Sequence, residues 1–280
     1  MKNILVPTDF SEQADNALEV AYNIAKKANS ELTLLHVIED TTVTSVHYTA
    51  DLELSNMENK LFMVRMVQKA KKDIAALNDK YSDIEIKTQI RIGNPYHNIK
   101  DYISESAVDF IVMGTKGSTG LEEFLIGSNA EKVVRHAKCP VLTIHKKADK
   151  FDFKDIVYAS GLELKDEYCI TILKQIQDVY DAKIHLVRIN TPNNFESDRT
   201  SLPALKKVAE KCGLSNYDVH VFNEASEEEG IIYFAEHINA DMIAMATHGR
   251  TGLAHLLTGS IAEDVVNHAK RPVLTYVIDQ

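Results

Sequence analysis

The chain has 280 residues, 45% hydrophobic and 26% charged, with a formal net charge of −10 at pH 7. That length allows two domains of ordinary size, and a chain this long buries roughly 75% of its unfolded surface, so hydrophobic cores suffice. The acidic balance argues against a nucleic-acid backbone or an anionic membrane as main partner, and no run of about 18 apolar residues suggests a membrane span.

Strand and helix signals alternate along the chain, which predicts an α/β fold with a parallel sheet. Asn3–Val6 is a short apolar run ending at Pro7 and reads as a buried strand. Ser11 sits at an N-cap position, and Ala14, Leu18, Ala21, Tyr22 and Ala25 follow at helical spacing, so Ser11–Lys27 is a helix. Glu31–Ile38 is the second strand, 40–56 is polar and irregular, and Leu61–Lys80 is a lysine-rich helix. Ile84–Ile92 alternates as a strand, and Gly93-Asn94-Pro95 is a turn. A helix over Tyr96–Ser106, a strand over Phe110–Met113, a helix over Ser128–His136 and a strand over Val141–His145 complete the first half.

The second half repeats the first. Asp109–Thr143 and Asp241–Thr275 are identical at 22 of 35 positions without a gap. Asp155–Gly161 aligns on Asn3–Asp9 with an offset of 152, which falls to 132 in the repeated segment. The second copy is therefore 20 residues shorter, most simply around the 40–60 segment and the second helix. Lys146–Phe153 is a charged connector between domains expected over 1–147 and 152–280.

Gly114-Thr115-Lys116-Gly117 leaves the fourth strand, and Gly127-Ser128 opens the next helix nine residues later. Parallel sheets bind ligands at the carboxyl ends of their strands. A glycine there allows positive φ and lets a phosphate approach backbone N–H groups, and a helix N-terminus adds unpaired donors and a positive dipole end. By itself Gly-Ser is first of all a helix start, and Ser128-x-x-Glu131 reads as a capping box, as does Ser260-x-x-Glu263. Neither GxxxxGK[ST] nor GxGxxG is present.

The whole arrangement, G-x2-G-x9-G-[ST], then a helix, then Ala137-x-x-Pro140-Val141-Leu142, with Ile4–Asp9 as the opening strand, resembles the universal stress protein family. The resemblance covers nearly the whole chain, as two tandem copies. It implies Rossmann-like domains of adenine-nucleotide alpha-hydrolase-like topology, each a five-stranded parallel sheet in the order 3-2-1-4-5, with helices on both faces. It further implies ATP as ligand, with Mg²⁺. Pro7, Thr8 and Asp9 would wall the adenosine, and Asp9 would contact either the adenine or a phosphate-bound metal. Val37 would offer backbone groups to the adenine edge, with Met113 and Gly114 against the ribose and phosphates. Gly117, Gly127, Ser128 and Asn129 would hold the phosphates, and Lys116 is a further candidate. Gly249, Gly259, Ser260 and Ile261 are weaker counterparts in the second copy. The fifth strands of such domains pair across a dimer, so Pro140–Ile144 is expected beside Pro272–Val277 as an internal pseudo-dimer. A homodimer is a further possibility.

The second copy departs where the nucleoside would lie. Ala246 replaces Gly114, Gly161 replaces Asp9, and Ala159-Ser160 replaces Pro7-Thr8. Ala246 adds a methyl where the backbone needs close approach or positive φ. Nucleotide binding is therefore expected mainly in the first domain.

Other chemistry has weaker support. Among the 11 histidines, His136 and His268 repeat and suggest packing, while His248 and His255 lack HxxxH or HExxH spacing, so no specific zinc site is expected. No G-x-S-x-G elbow is present. Cys139, Cys169 and Cys212 form no CxxC pair and fit a reduced compartment. The start MKNILVPTDF enters a strand without a signal-peptide h-region, so a cytoplasmic location is expected. The function expected is ATP-binding stress response, by nucleotide-linked change of conformation or assembly. The 40–60 segment and the Gly117–Gly127 loop would order around the triphosphate. The rivals are a slow ATP-hydrolysing enzyme of the same superfamily and a non-nucleotide dimeric scaffold.

Overall fold

A computed structural model describes residues 1–39, 52–115, 126–145, 152–160, 167–248 and 261–278. The first half runs β1 (Asn3–Thr8), α1 (Glu12–Ala28), β2 (Glu31–Ile38), α2 (Leu52–Lys80), β3 (Ile86–Ile92), α3 (Pro95–Glu105), β4 (Phe110–Gly114), α4 (Ser128–His136) and β5 (Val141–Ile144). The second runs β6 (Asp155–Ala159), α5 (Glu167–Tyr180), β7 (Lys183–Asn190), α6 (Asp198–Lys211), β8 (Tyr217–Asn223), α7 (Glu227–His237), β9 (Met242–His248), α8 (Ile261–His268) and β10 (Val273–Ile278).

All ten strands form one sheet, ordered β3-β2-β1-β4-β5-β10-β9-β6-β7-β8. Each half is parallel, in the expected 3-2-1-4-5 order. The halves meet antiparallel through β5 and β10, with Leu142 opposite Leu274. Those two leucines are equivalent in the repeat, so the pair lies on a pseudo-twofold axis. On either side of it Thr143 Oγ1 donates to the Val273 carbonyl at 3.1 Å, and Thr275 Oγ1 donates to the Val141 carbonyl at 3.4 Å.

Strand residues alternate between faces, so each strand feeds two cores. Ile4, Val6, Leu32 and Leu34 belong to the core under α1 and α2, which continues into that under α5 and α6. Leu5, Leu35, Ile111 and Met113 belong to the core under α3 and α4, which continues into that under α7 and α8. Both cores run across the β5–β10 seam.

Several boundaries move from the sequence expectation. β1 continues through Pro7 to Thr8. Its register with β4 covers only Ile4 and Leu5, so Pro7 lies where a two-sided ladder is no longer needed. α2 begins at Leu52, inside the segment read as irregular, and has 29 residues against 14 in α6. That difference accounts for most of the shortening of the second copy. Residues 146–151 of the connector lie outside the described residues, but Phe153 at its end is core, buried edge-on against Tyr180 at 5.1 Å. Ser11 is the N-cap of α1, its Oγ accepting from the Ala14 N–H at 3.2 Å. Among the described residues no helix is long and apolar enough to cross a membrane.

Replacing Thr143 and Thr275 together by valine keeps their shape and removes both cross-seam side-chain bonds. The unfolding free energy of the full chain is expected to fall by about 1–3 kcal/mol, measured by urea denaturation.

Candidate functional site

β1 and β4 separate at their carboxyl ends, and a cleft of about 230 Å³ opens there. Pro7, Thr8 and Asp9 line it from β1, Val37 and Glu39 from β2, and Met113, Gly114 and Thr115 from β4. Gly127, Ser128 and Asn129 line it from the start of α4, and Pro95 and Ile99 from α3. The cleft thus gathers nine of the residues singled out in the first copy: Pro7, Thr8, Asp9, Val37, Met113, Gly114, Gly127, Ser128 and Asn129. Lys116 and Gly117 lie outside the described residues, as do 40–51 and the rest of the 116–125 loop.

The β1–α1 turn is tightly specified. Thr8 Oγ1 accepts from the Phe10 N–H at 3.0 Å, and Asp9 Oδ1 accepts from the Ser11 N–H at 3.0 Å. Phe10 adopts φ 62, a left-handed conformation costing a β-carbon residue about 1–2 kcal/mol. Its ring packs 4.5 Å from that of His36, whose Nδ1 lies 2.8 Å from the Thr8 carbonyl. These contacts offset the strain and fix Asp9 at the mouth of the cleft.

The Gly-rich loop is closed at its base. The Gly127 N–H donates to the Thr115 carbonyl at 2.6 Å, and Thr115 Oγ1 lies 3.1 Å from His145 Nδ1. Thr115 escaped the sequence reading, although its identity with Thr247 in the repeat was a usable signal. The far end of the loop is held by the other half: the Ile126 N–H donates to Asn267 Oδ1 of α8 at 2.9 Å.

The expected capping box does not form in α4. The N-cap is Gly127, and Ser128 is already inside the helix. Glu131 pairs instead with Arg135 at 3.1 Å, and Arg135 reaches Glu263 of α8 at 2.6 Å. Glycine has no side chain to accept from the first-turn N–H groups, and no side-chain cap bond forms there. Donors and the positive dipole end are therefore presented where Ser128 and Asn129 line the cleft. Ser260 lies outside the described residues.

Gly114 is required for a reason the sequence reading only half anticipated. Its φ is not in the left-handed region. A Cβ on it would lie 2.8 Å from the backbone carbon and oxygen of Gln13, so the close approach is to the start of α1. The second half differs at several matching points. Ala246 takes the place of Gly114 and packs against the core. Ile189 stands where Val37 lines the cleft, and it is buried. A Cβ on Gly230 of α7 would lie 2.4 Å from Ile189 Cγ2, so α7 closes tightly over that position. Asn98 is the corresponding residue of α3. Gly161, Gly249, Gly259 and Ser260 lie outside the described residues, and Ile261 is the exposed first residue of α8.

The repeated histidines differ in surroundings. His136 lies 6.2 Å from the Tyr96 ring, and burial pushes its pKa below the ordinary value. His268 pairs with Glu228. His255 lies outside the described residues.

Gly114→Ala forces its new methyl against the Gln13 backbone. It is expected to destabilise the full chain by about 1–3 kcal/mol, read as a lower midpoint in thermal unfolding.

Known proteins share this architecture. Residues 1–145 and 154–276 match the model of the universal stress protein family. A universal stress protein of Methanocaldococcus jannaschii is 32% identical over 145 residues, 52% of this chain and 82% of its own length. A Staphylococcus aureus protein named for the same family is 32% identical over 165 residues, 59% of this chain and 96% of its own. The crystal structure of a universal stress protein from Archaeoglobus fulgidus has the same fold, with a TM-score of 0.73 at 20% identity over 98% of either chain. The chain belongs to the universal stress protein family, as two tandem copies of its domain.

Proposed function

We propose that the first-half cleft binds ATP with Mg²⁺, and that the chain works as a nucleotide-responsive stress protein. The observation that carries this reading is the convergence of nine motif residues on one cleft that ends at the α4 N-terminus, where no side-chain cap bond forms. The N–H groups at Ser128 and Asn129 suit phosphate oxygens, which accept hydrogen bonds and favour the positive dipole end. The carboxyl end of β2 at Val37 offers backbone groups to an adenine edge. Asp9 and Glu39 supply carboxylates at the cleft, and a bound Mg²⁺ would neutralise phosphate charge beside them. Binding would act by linkage: the conformation or assembly that holds nucleotide more tightly gains population, to the extent of that difference in affinity. Weaker binding in the second half is the reading supported by Ile189, over which α7 packs, and by Gly161 in place of the Asp9 carboxylate.

Two measurements on the full chain test this. Mass spectrometry of small molecules released on denaturation should find adenine nucleotide. Calorimetric titration with Mg-ATP should saturate at one equivalent. Two equal sites would sink the asymmetry, and no binding would sink the nucleotide reading. Ser128→Asp puts a carboxylate into the first turn, where it favours the helix but repels phosphate. ATP affinity should fall by about tenfold or more, since juxtaposed like charges cost several kcal/mol. The unliganded melting temperature should not fall. Turnover of ATP well above background would favour the hydrolytic rival instead.

A further inference from the structure

The second half carries a cluster of ligand-type side chains near the amino ends of its strands. His185 of β7 stands in register with Asp218 of β8, and His220 lies two residues on, on the same face. One ligand atom from each of His185, Asp218 and His220 lies within 4.8 Å of the others. His185 Nδ1 and His220 Nε2 are 3.3 Å apart. Two nitrogens bound to one tetrahedral zinc at about 2.0–2.1 Å stand about 3.3 Å apart.

A supporting contact is in place. His185 Nε2 lies 2.9 Å from Asp155 Oδ1 of β6. Donation to that carboxylate puts the proton on Nε2 and leaves the Nδ1 lone pair directed at His220. A carboxylate that orients a ligating imidazole in this way is the usual outer partner of a metal-bound histidine. His185 is buried, His220 is half-buried and Asp218 is exposed, so the cluster is open to solvent on one side. Lys183 pairs with Asp218 Oδ2 at 2.6 Å and is the cation a metal would compete with.

The first half provides an internal comparison. At the equivalent places it has Asn3, Thr33, Lys87 and Gln89, with no imidazole and no carboxylate. The cluster is thus peculiar to the second copy, and the same fold accommodates other side chains there.

We propose that His185, His220 and Asp218 form a site for a divalent transition metal of the zinc class, with Asp155 as positioning residue and water completing the coordination. In the metal-free protein one N–H···N hydrogen bond links the two rings. The metal takes the place of that proton, and His220 carries its hydrogen on Nδ1 instead.

The test uses the full chain, stripped with chelator and titrated with Co²⁺. Saturation at one equivalent with the intense visible absorption of tetrahedral Co²⁺, reversed by Zn²⁺, is expected. The double variant His185→Thr, His220→Gln installs the first-half residues and should lose the absorption. Asp155→Asn should weaken binding by about 10–100-fold while keeping the band shape. His220→Gln alone, on the half-buried ring, should also abolish the tetrahedral band if the double variant does not fold. With 11 histidines in the chain, weak binding elsewhere is expected. Co²⁺ binding equal to wild type in a folded His220→Gln variant, or no saturable binding in the wild type, would overturn the proposal.

Discussion

The antiparallel pairing of β5 with β10 is the contact on which the rest of the molecule depends. A five-stranded parallel domain ends in an exposed edge, and an exposed edge invites pairing with other chains. Here each fifth strand supplies the other with a partner, and the two sheets become one. The pairing also brings α4 and α8 together, which allows Arg135 to meet Glu263 and Asn267 to reach the Ile126 amide. The end of the first-half Gly-rich loop is thereby fastened to the second half. On the opposite face Lys27 of α1 lies 4.1 Å over the ring of Tyr180 of α5. The second domain is part of the scaffold of the first one's cleft, whatever else it does.

On this symmetric frame the two halves have diverged through small physical steps. Gly114 lets the start of α1 approach β4, and the turn before it holds Phe10 in a strained conformation through Thr8, Asp9 and His36. In the second half α7 closes on Ile189 through Gly230, and Arg188 occupies the place of His36 as a buried cation bonded to Asn194. The wall that is open in one copy is packed in the other. Ligand-type side chains have accumulated instead at the other end of β7 and β8.

Much of this was legible along the chain. The repeat, the alternation of elements and the Ser11 cap are patterns among near neighbours in sequence, while the nine cleft residues of the first copy came from the family resemblance. The seam itself was expected from the family resemblance and is found in the register Val141–Thr143 against Val273–Thr275. Other features were misread or missed. Ser128 followed by Glu131 has the spacing of a capping box, but the N-cap is Gly127, whose N–H is tied to the Thr115 carbonyl, and Ser128 is the first residue of the helix. The connector reads as charged, yet Phe153 at its end is held in the core by Tyr180. Local spacing gives no sign of His185 and His220, which are separated by 35 residues and joined only by sheet register.

The sequence by itself determined the duplication, the α/β alternation and the glycine-punctuated loop. Each depends on periodicity and backbone freedom over a few successive residues. Only the tertiary structure decided that Gly114 yields to the backbone of α1, that Asn267 reaches Ile126, and that His185 faces His220. Each of those contacts joins segments far apart in the chain. Strand register and helix approach set such contacts, and no local pattern encodes them.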